Sequence, residues 1–336
     1  MHTSVPDPIA DPFQERSSVL VRKPLQLLGA RVHFESNSPE LLRLVDSAYA
    51  GLPRHRLSAS VPRLRVRLLL TSGSGRRPRA EPPPLTMLSG PGLLGGATGS
   101  SSFVVLAPEE HAALVVVSPH MLRFPYHTRY ELIEFAVYTL AARVQGLVPI
   151  HGACVGRGGR GLLLIGESGA GKSTVALHCS LGGFDFLSED SVFVAPKTML
   201  ATGIANFLHI RADSLRWLGR SHEADAIRRS PVIRRRSGVR KFEMDLRQEP
   251  FRIARSPLEI AGVVFLSPQS AGGTPLLKPV PASALLERLA TTQAYGANQP
   301  QWQAFARNLS RLDAFELRRG RHPVEAIEAL RTLLAR

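Results

Sequence analysis

Apolar and polar residues alternate across Arg31-Val32-His33-Phe34-Glu35 and again from Leu64 through Leu68, which predicts two half-buried strands, the second running on to Leu70. Between them, Ser38-Pro39-Glu40 reads as a helix start, with Leu41, Leu42, Leu44 and Val45 as its apolar face. Residues 71–102 are rich in Gly, Pro and Ser, including Pro82-Pro83-Pro84, and predict a long loop, flexible over 72–102. Two short apolar strands follow at 103–106 and 113–117. The period then changes: Leu132, Phe135, Ala136, Leu140 and Val144 recur at helical spacing. Strands are expected at 148–155 and 161–165, joined by the turn Gly156-Arg157-Gly158-Gly159-Arg160. A glycine loop and a helix through Leu181 come next, then a short strand at 184–187, an apolar strand at 261–266, and a final helix lined by Val324, Ile327, Leu330 and Leu334. The expected organisation is a disordered tail at 1–16, a small α+β domain at 17–128, and a second domain at 129–336.

Composition narrows the class. The chain has 336 residues, long enough for two ordinary domains, and 44% hydrophobic residues can fill their cores. Net charge is +15, most of it Arg, which attracts phosphates, acidic peptides, nucleic acid or anionic lipid. The aromatic content is 6%, without basic runs interleaved with aromatics, so the stacking platforms of a single-strand binder are missing and nucleic acid is not the expected partner. No apolar run approaches the roughly 20 residues that span a bilayer, and the N-terminus, with Asp7, Asp11 and interspersed prolines, does not read as a signal peptide, so no membrane role is expected. Two cysteines, Cys154 and Cys179, build neither a metal set nor a disulfide framework and fit a reduced, cytoplasmic setting.

The chemistry concentrates in Gly166-Glu167-Ser168-Gly169-Ala170-Gly171-Lys172-Ser173-Thr174. Its spacing is that of a phosphate-binding loop, and its context, an apolar strand before and a helix after, is the one such a loop requires. Glycines let backbone N–H groups turn around phosphate oxygens, and the helix N-terminus adds partial positive charge. Lys172 is expected on the β- and γ-phosphates and Ser173 on Mg²⁺, so the ligands called for are ATP and Mg²⁺. Asp190 comes only 18 positions after Lys172, much earlier than the remote acid of most P-loop ATPases. The later strand runs into Ser267-Pro268 with no acid, and there is no Asn-Lys-x-Asp base reader of a GTPase.

His151-Gly152-Ala153, the hairpin, the loop at 166–174 and Phe186-Leu187-Ser188-Glu189-Asp190, in that order, resemble the HPr serine kinase family, and more narrowly its HPr-kinase-related branch, which includes peptide-modifying kinases. The resemblance covers about residues 129–336. It implies an α/β (α+β) architecture: a phosphoenolpyruvate carboxykinase-like P-loop kinase domain with a mixed sheet, behind the small α+β N-terminal domain. It also implies transfer of the γ-phosphoryl group of ATP to a hydroxyl, with Lys172 and Ser173 on phosphates and metal and Asp190 close to the metal. Glu189 stands where the family has an Asp and becomes the candidate general base and a further metal ligand. His151 falls beside the active site, and Arg211, Arg240 and Lys241 match downstream basic positions. Homo-oligomers are implied as well. The segment with which HPr kinases engage HPr is not recognisable here, so the acceptor expected is a serine of another peptide or protein. A small-molecule alcohol such as free serine or a sugar, and a non-catalytic ATP-sensing regulator, are the alternative readings. The Arg-rich stretch 228–241 reads as a mobile basic loop.

Overall fold

The computed structural model of the chain describes residues 20–72, 80–90 and 92–335; the tail expected at 1–16 lies outside them. The chain divides into two compact units, the first formed by the described residues of 20–25, 32–47 and 64–137 and the second by 26–31, 48–63 and 138–335.

In the first unit the strands are β1 (Val21–Leu27), β2 (Ala30–Ser36), β3 (Arg63–Leu70), β4 (Leu85–Gly90), β5 (Leu93–Thr98), β6 (Ser102–Ala107) and β7 (Ala112–Val117), with helix α1 (Pro39–Tyr49) after β2. They form one sheet in the order β1-β2-β3-β7-β6-β5-β4, in which β3 is parallel to β7 and β4 to β7 form an antiparallel meander. The alternation seen in the sequence puts Val32, Phe34, Val66, Leu68, Val104, Leu106 and Val115 inside. The loop expected over 72–102 is corrected: β4 and β5 occupy 85–98. Glycine content misleads there because Gly95 sits where strands approach closely; a Cβ would come within 2.9 Å of the Val104 carbonyl oxygen.

A helical stretch follows in the chain: α2 (Pro125–His127), a π-helical segment Thr128–Glu134, and α3 (Phe135–Gln145). The second unit continues with β8 (Val148–Ile150), β9 (Ala153–Arg157), β10 (Arg160–Ile165), α4 (Lys172–Leu181), β11 (Asp185–Ser188), β12 (Val192–Val194) and β13 (Leu200–Gly203). It continues through β14 (Phe207–Ile210), a 3-10 segment Ala212–Leu218, α5 (His222–Arg229), β15 (Val232–Arg234), β16 (Arg240–Asp245) and β17 (Leu258–Ser270). It closes with β18 (Leu277–Pro279), α6 (Ala282–Thr292), α7 (Ala294–Ala297), α8 (Trp302–Leu309), β19 (Asp313–Arg319) and α9 (Pro323–Leu334). The main sheet is mixed: β10 lies parallel to β17 and β17 to β19, while β9 and β10 form the expected antiparallel hairpin. A small antiparallel sheet, β14-β16-β15, stands beside it. The architecture is mixed α/β.

The strand β10 explains why its sequence is apolar without alternation: both faces are covered. Leu162 and Leu164 join the core under α4 and α9 with Leu177, Phe184, Phe186 and Leu330. Leu163 and Ile165 join the opposite core with Leu285 of α6 and Phe305 and Leu309 of α8. The edge between strand and helix, where the glycine loop runs, is thereby fixed from both sides.

Two expectations in this unit are corrected. The strand expected at 148–155 breaks at His151-Gly152 into β8 and β9, because at Gly152 the chain passes so close to β10 that a Cβ would lie 2.7 Å from the Leu164 carbonyl oxygen. The stretch 228–241 is not a loop throughout but the end of α5, β15 and a turn into β16. Its arginines hide an alternation in which Ile233 is buried. Among the described residues no helix is long and apolar enough to cross a membrane.

Candidate functional site

Strand β10 delivers the chain into the loop 166–171, and α4 carries it away. Gly171 sits at φ 101° directly before α4 and Gly169 at φ 86°, both with open space where a side chain would go, so it is the backbone turn and not lack of room that calls for glycine. Gly166 is glycine for the other reason: a Cβ would press on Leu266 and Ala170 at 3.1–3.2 Å. The Lys172 ammonium donates to the loop's own carbonyls, Gly166 O at 2.6 Å and Glu167 O at 3.1 Å. Burial is the main reason its pKa is lowered; the carboxylates of Asp190 and Glu189 oppose that.

A cavity of about 410 Å³ opens over this loop. Ser168 to Thr174 line it, as do His151, Asp190, Arg211 and Lys241. Gly166, Glu167, Glu189 and Arg240 do not. Arg240 is exposed and pairs in register with Arg234, and the alternation of β16 turns its neighbour Lys241 inward instead. Glu167 is exposed and contributes its carbonyl. Arg211, also exposed, lies 3.5 Å from Asp213. Seven lysines and arginines line the cavity against two aspartates, an environment suited to a polyanion.

The acid pair divides. Glu189 is buried at 4% exposure behind Ser173, whose hydroxyl donates to its Oε1. Its Oε2 accepts from the backbone N–H of His209 at 2.9 Å, and His209 Nδ1 is 3.6 Å away. The other ring nitrogen of His209 donates to Glu243 at 3.2 Å. Burial works against a charged His209, yet hydrogen bonds and charge from Glu189 and Glu243 outweigh it and lift the imidazole to about 9. Asp190 faces the cavity and accepts from Arg235 Nη2 at 2.8 Å. Burial alone pushes its pKa up; the Arg235 charge and hydrogen bond, helped by His209 and His151, bring it below the usual range. Lys241 is depressed by burial and by Arg235, against the pull of Glu189 and Asp190.

His151 is exposed at the mouth and donates through Nδ1 to the Asp190 carbonyl at 3.1 Å. Buried Gln293 clamps its backbone from both sides, accepting from His151 N–H at 2.6 Å and donating to His151 C=O at 3.0 Å. Gln293, Arg235, His209 and Glu243 are the residues that sequence reasoning passed over. His209 stands two positions before Arg211 and Arg235 inside the basic stretch, so each was in view without a role; nothing in the sequence marks Gln293.

The ligand atoms of Glu189, Asp190 and His209 lie within 4.8 Å of one another. Asp190 and the Ser173 hydroxyl offer oxygens of the kind Mg²⁺ takes, with Glu189 behind Ser173, while the two ring nitrogens of His209 face Glu189 and Glu243.

No family model matches the chain. A curated protein from Chlorobium phaeobacteroides (strain BS1), an HPr kinase/phosphorylase, is 29% identical over 119 residues, covering 34% of this chain and 35% of that protein. The chain therefore matches about a third of that relative's length. Among solved structures, the HPr(Ser) kinase/phosphatase from Coxiella burnetii is 11% identical, with 55% of this chain and 94% of that one covered and a TM-score of 0.28.

Proposed function

We propose that this chain, related by sequence to the HPr kinases without being HPr kinase itself, is an ATP- and Mg²⁺-dependent kinase with a phosphoenolpyruvate carboxykinase-like P-loop domain, and that it phosphorylates a serine hydroxyl of a peptide or protein. The observation that carries the reading is the convergence of Lys172, Ser173 and Asp190 on one cation-lined cavity, with Glu189 bonded to Ser173 behind it.

The residues take the following parts. The loop amides and Lys172 hold the phosphates, Lys172 exchanging the carbonyls of Gly166 and Glu167 for phosphate oxygens. Ser173 and Asp190 would hold Mg²⁺, with Glu189 orienting Ser173 from behind, and the ion would supply positive charge against the phosphates. Asp190, ionised beside Arg235, faces the acceptor. The acceptor oxygen bonds to the γ-phosphorus as the bond to the ADP oxygen breaks, and the hydroxyl proton passes to the Asp190 carboxylate. In a loose transition state that transfer comes late, so a carboxylate of low pKa suffices. Lys241 and Arg211 stabilise charge on the transferred group. The general-base role expected for Glu189 moves to Asp190, because both Glu189 oxygens are committed and it does not reach the cavity. The +15 charge favours an acidic peptide as acceptor.

The test is a transfer screen with γ-labelled ATP against serine-containing peptide pools and, separately, metabolite pools. Label is expected on a peptide serine with the wild-type protein and not with Asp190→Asn, which still binds ATP. Label on free serine or a sugar alone assigns the acceptor to small molecules. Undiminished transfer by Asp190→Asn removes the mechanism, and ATP binding without transfer to any pool makes the chain a nucleotide sensor.

A further inference from the structure

Resting on the nucleotide reading above, we infer that the end of the cavity formed by Ser214, Trp217 and His322 is the nucleoside subsite, that the base is held there by stacking on Trp217, and that the site therefore discriminates poorly between adenine and guanine. The polarity of the phosphate loop sets the direction. The γ-phosphoryl group must face Asp190 and the metal-binding oxygens, and Lys172 marks the β/γ end, so the nucleoside has to leave toward the other end of the cavity.

That end can be located from contacts. Thr174, two residues past Lys172, shares a 3.0 Å hydrogen bond with Ser214. Ser214 opens onto Trp217 in the same 3-10 segment, Ala212–Leu218. The Trp217 carbonyl accepts from His322 Nε2 at 3.1 Å, and the two rings meet edge to face at 5.5 Å. The His322 ring also packs at 5.7 Å on His178, which lies six residues, about 9 Å of helix rise, beyond Lys172 on α4. Trp217 and His322 thus flank the second turn of α4, past the phosphates, whereas Asp190, His151 and Arg235 are tied to one another on the acceptor side.

Trp217 is half-buried, lines the cavity and carries the Arg216 guanidinium 4.8 Å from its ring centroid. A planar, partly desolvated indole next to a planar cation offers a base a stacking surface. The polar groups around it are engaged elsewhere. His322 uses both ring nitrogens, Nδ1 accepting from Val324 N–H and Nε2 donating to Trp217. Ser214 bonds Thr174, Asp213 lies against Arg211, and Arg319 reaches the Gly169 carbonyl. Stacking is available to every base, while edge reading needs donors and acceptors held in place for one base, and those of His322, Ser214 and Asp213 are turned to partners within the protein.

The chain has two tryptophans, so Trp302→Phe leaves Trp217 as the reporter. In that protein, MgADP is expected to change the tryptophan emission saturably, and magnesium tripolyphosphate, which has no base, to bind without that change. Trp217→Ala should weaken MgADP roughly ten- to hundredfold and leave tripolyphosphate affinity within about twofold, while Trp217→Phe keeps most of the ADP affinity. GDP should bind within about tenfold of ADP. Should Trp217→Ala be poorly folded by circular dichroism, the emission experiment and Trp217→Phe decide. If Lys172→Ala abolishes ADP binding while Trp217→Ala leaves it unchanged, or if ADP exceeds GDP by more than a thousandfold, the subsite is elsewhere or reads base edges, and the phosphate-loop reading stands. If ADP binding survives Lys172→Ala, or never occurs, the phosphate-loop reading falls, and this inference with it.

Discussion

Glu243→Gln should make the stability of this protein lose its advantage at neutral pH and not at alkaline pH. Glu243 does not line the cavity, but with Glu189 it holds buried His209 as an imidazolium, lifted to about 9. Against about 6.5 in an unfolded chain, that corresponds to about 3 kcal/mol of stability, an order-of-magnitude figure. The sign follows from linkage: a pKa raised in the folded state stabilises fully below about pH 6.5, and the stabilisation disappears as pH climbs through about 9. For a unit of some 200 residues, about 3 kcal/mol is worth roughly 6–12 °C in Tm.

Gln at 243 keeps a carbonyl for His209 Nε2 but removes one of the two charges, so the imidazole falls partway toward its ordinary value. The wild-type advantage should be about 1–2 kcal/mol near pH 6 and should close by about pH 9.5. Thermal unfolding of both proteins by circular dichroism from pH 6 to 10, read as a difference, isolates the effect, since the depressed Lys172 and Lys241 titrate in both. Selective 13C labelling of the histidines gives the pKa directly. A flat difference across pH 6.5–9, or a His209 resonance that titrates below 7 in the wild-type protein, would refute the charge assignment.

Two further predictions separate neighbours that the sequence cannot. Lys241→Ala should cut the transfer rate at least tenfold, and Arg240→Ala should leave it within about twofold; equal losses in steady-state assays would place both in the site, contrary to the alternation of β16. Glu189→Gln should raise the Mg²⁺ required for half-maximal transfer about tenfold or more, with the rate largely restored at saturating Mg²⁺. A general base would instead lose roughly 10²–10⁴-fold in kcat at every Mg²⁺ concentration, and that result would return the role to Glu189.

What was legible in the sequence was periodic or stoichiometrically demanding. Val32-His33-Phe34 and Leu64 through Leu68 announced their strands by alternation, and Gly166 through Ser173 announced its loop because few other residue types make that turn beside a lysine. What was missed depended on contacts distant in the chain. The strand break at His151 exists because Gly152 passes beneath β10, and the His151 backbone is held by a glutamine 142 residues away. The hairpin at 85–98 was hidden by glycines that serve close strand approach, a use indistinguishable in composition from a loop. In the basic stretch the charges mask the buried Ile233 that anchors β15, so its sequence has the look of a loop.

The acid pair shows the same limit at the site itself. Glu189 and Asp190 follow β11 in a bend and bring carboxylate oxygens within 4.8 Å of one another, yet only Asp190 lines the cavity. Which one faces it is decided by what lies behind β11, and there the small sheet presents the His209 N–H and ring while α4 presents the Ser173 hydroxyl. Glu189 is drawn into the buried network with His209, and Asp190, a few ångströms away, meets Arg235 and the cavity. The longer side chain occupies the inner position, where it must bridge from strand to helix. Two neighbouring acids thereby acquire different partners, Glu189 the Ser173 hydroxyl and Asp190 Arg235 and the cavity, and the difference comes from their surroundings and not from the chemistry of the two letters.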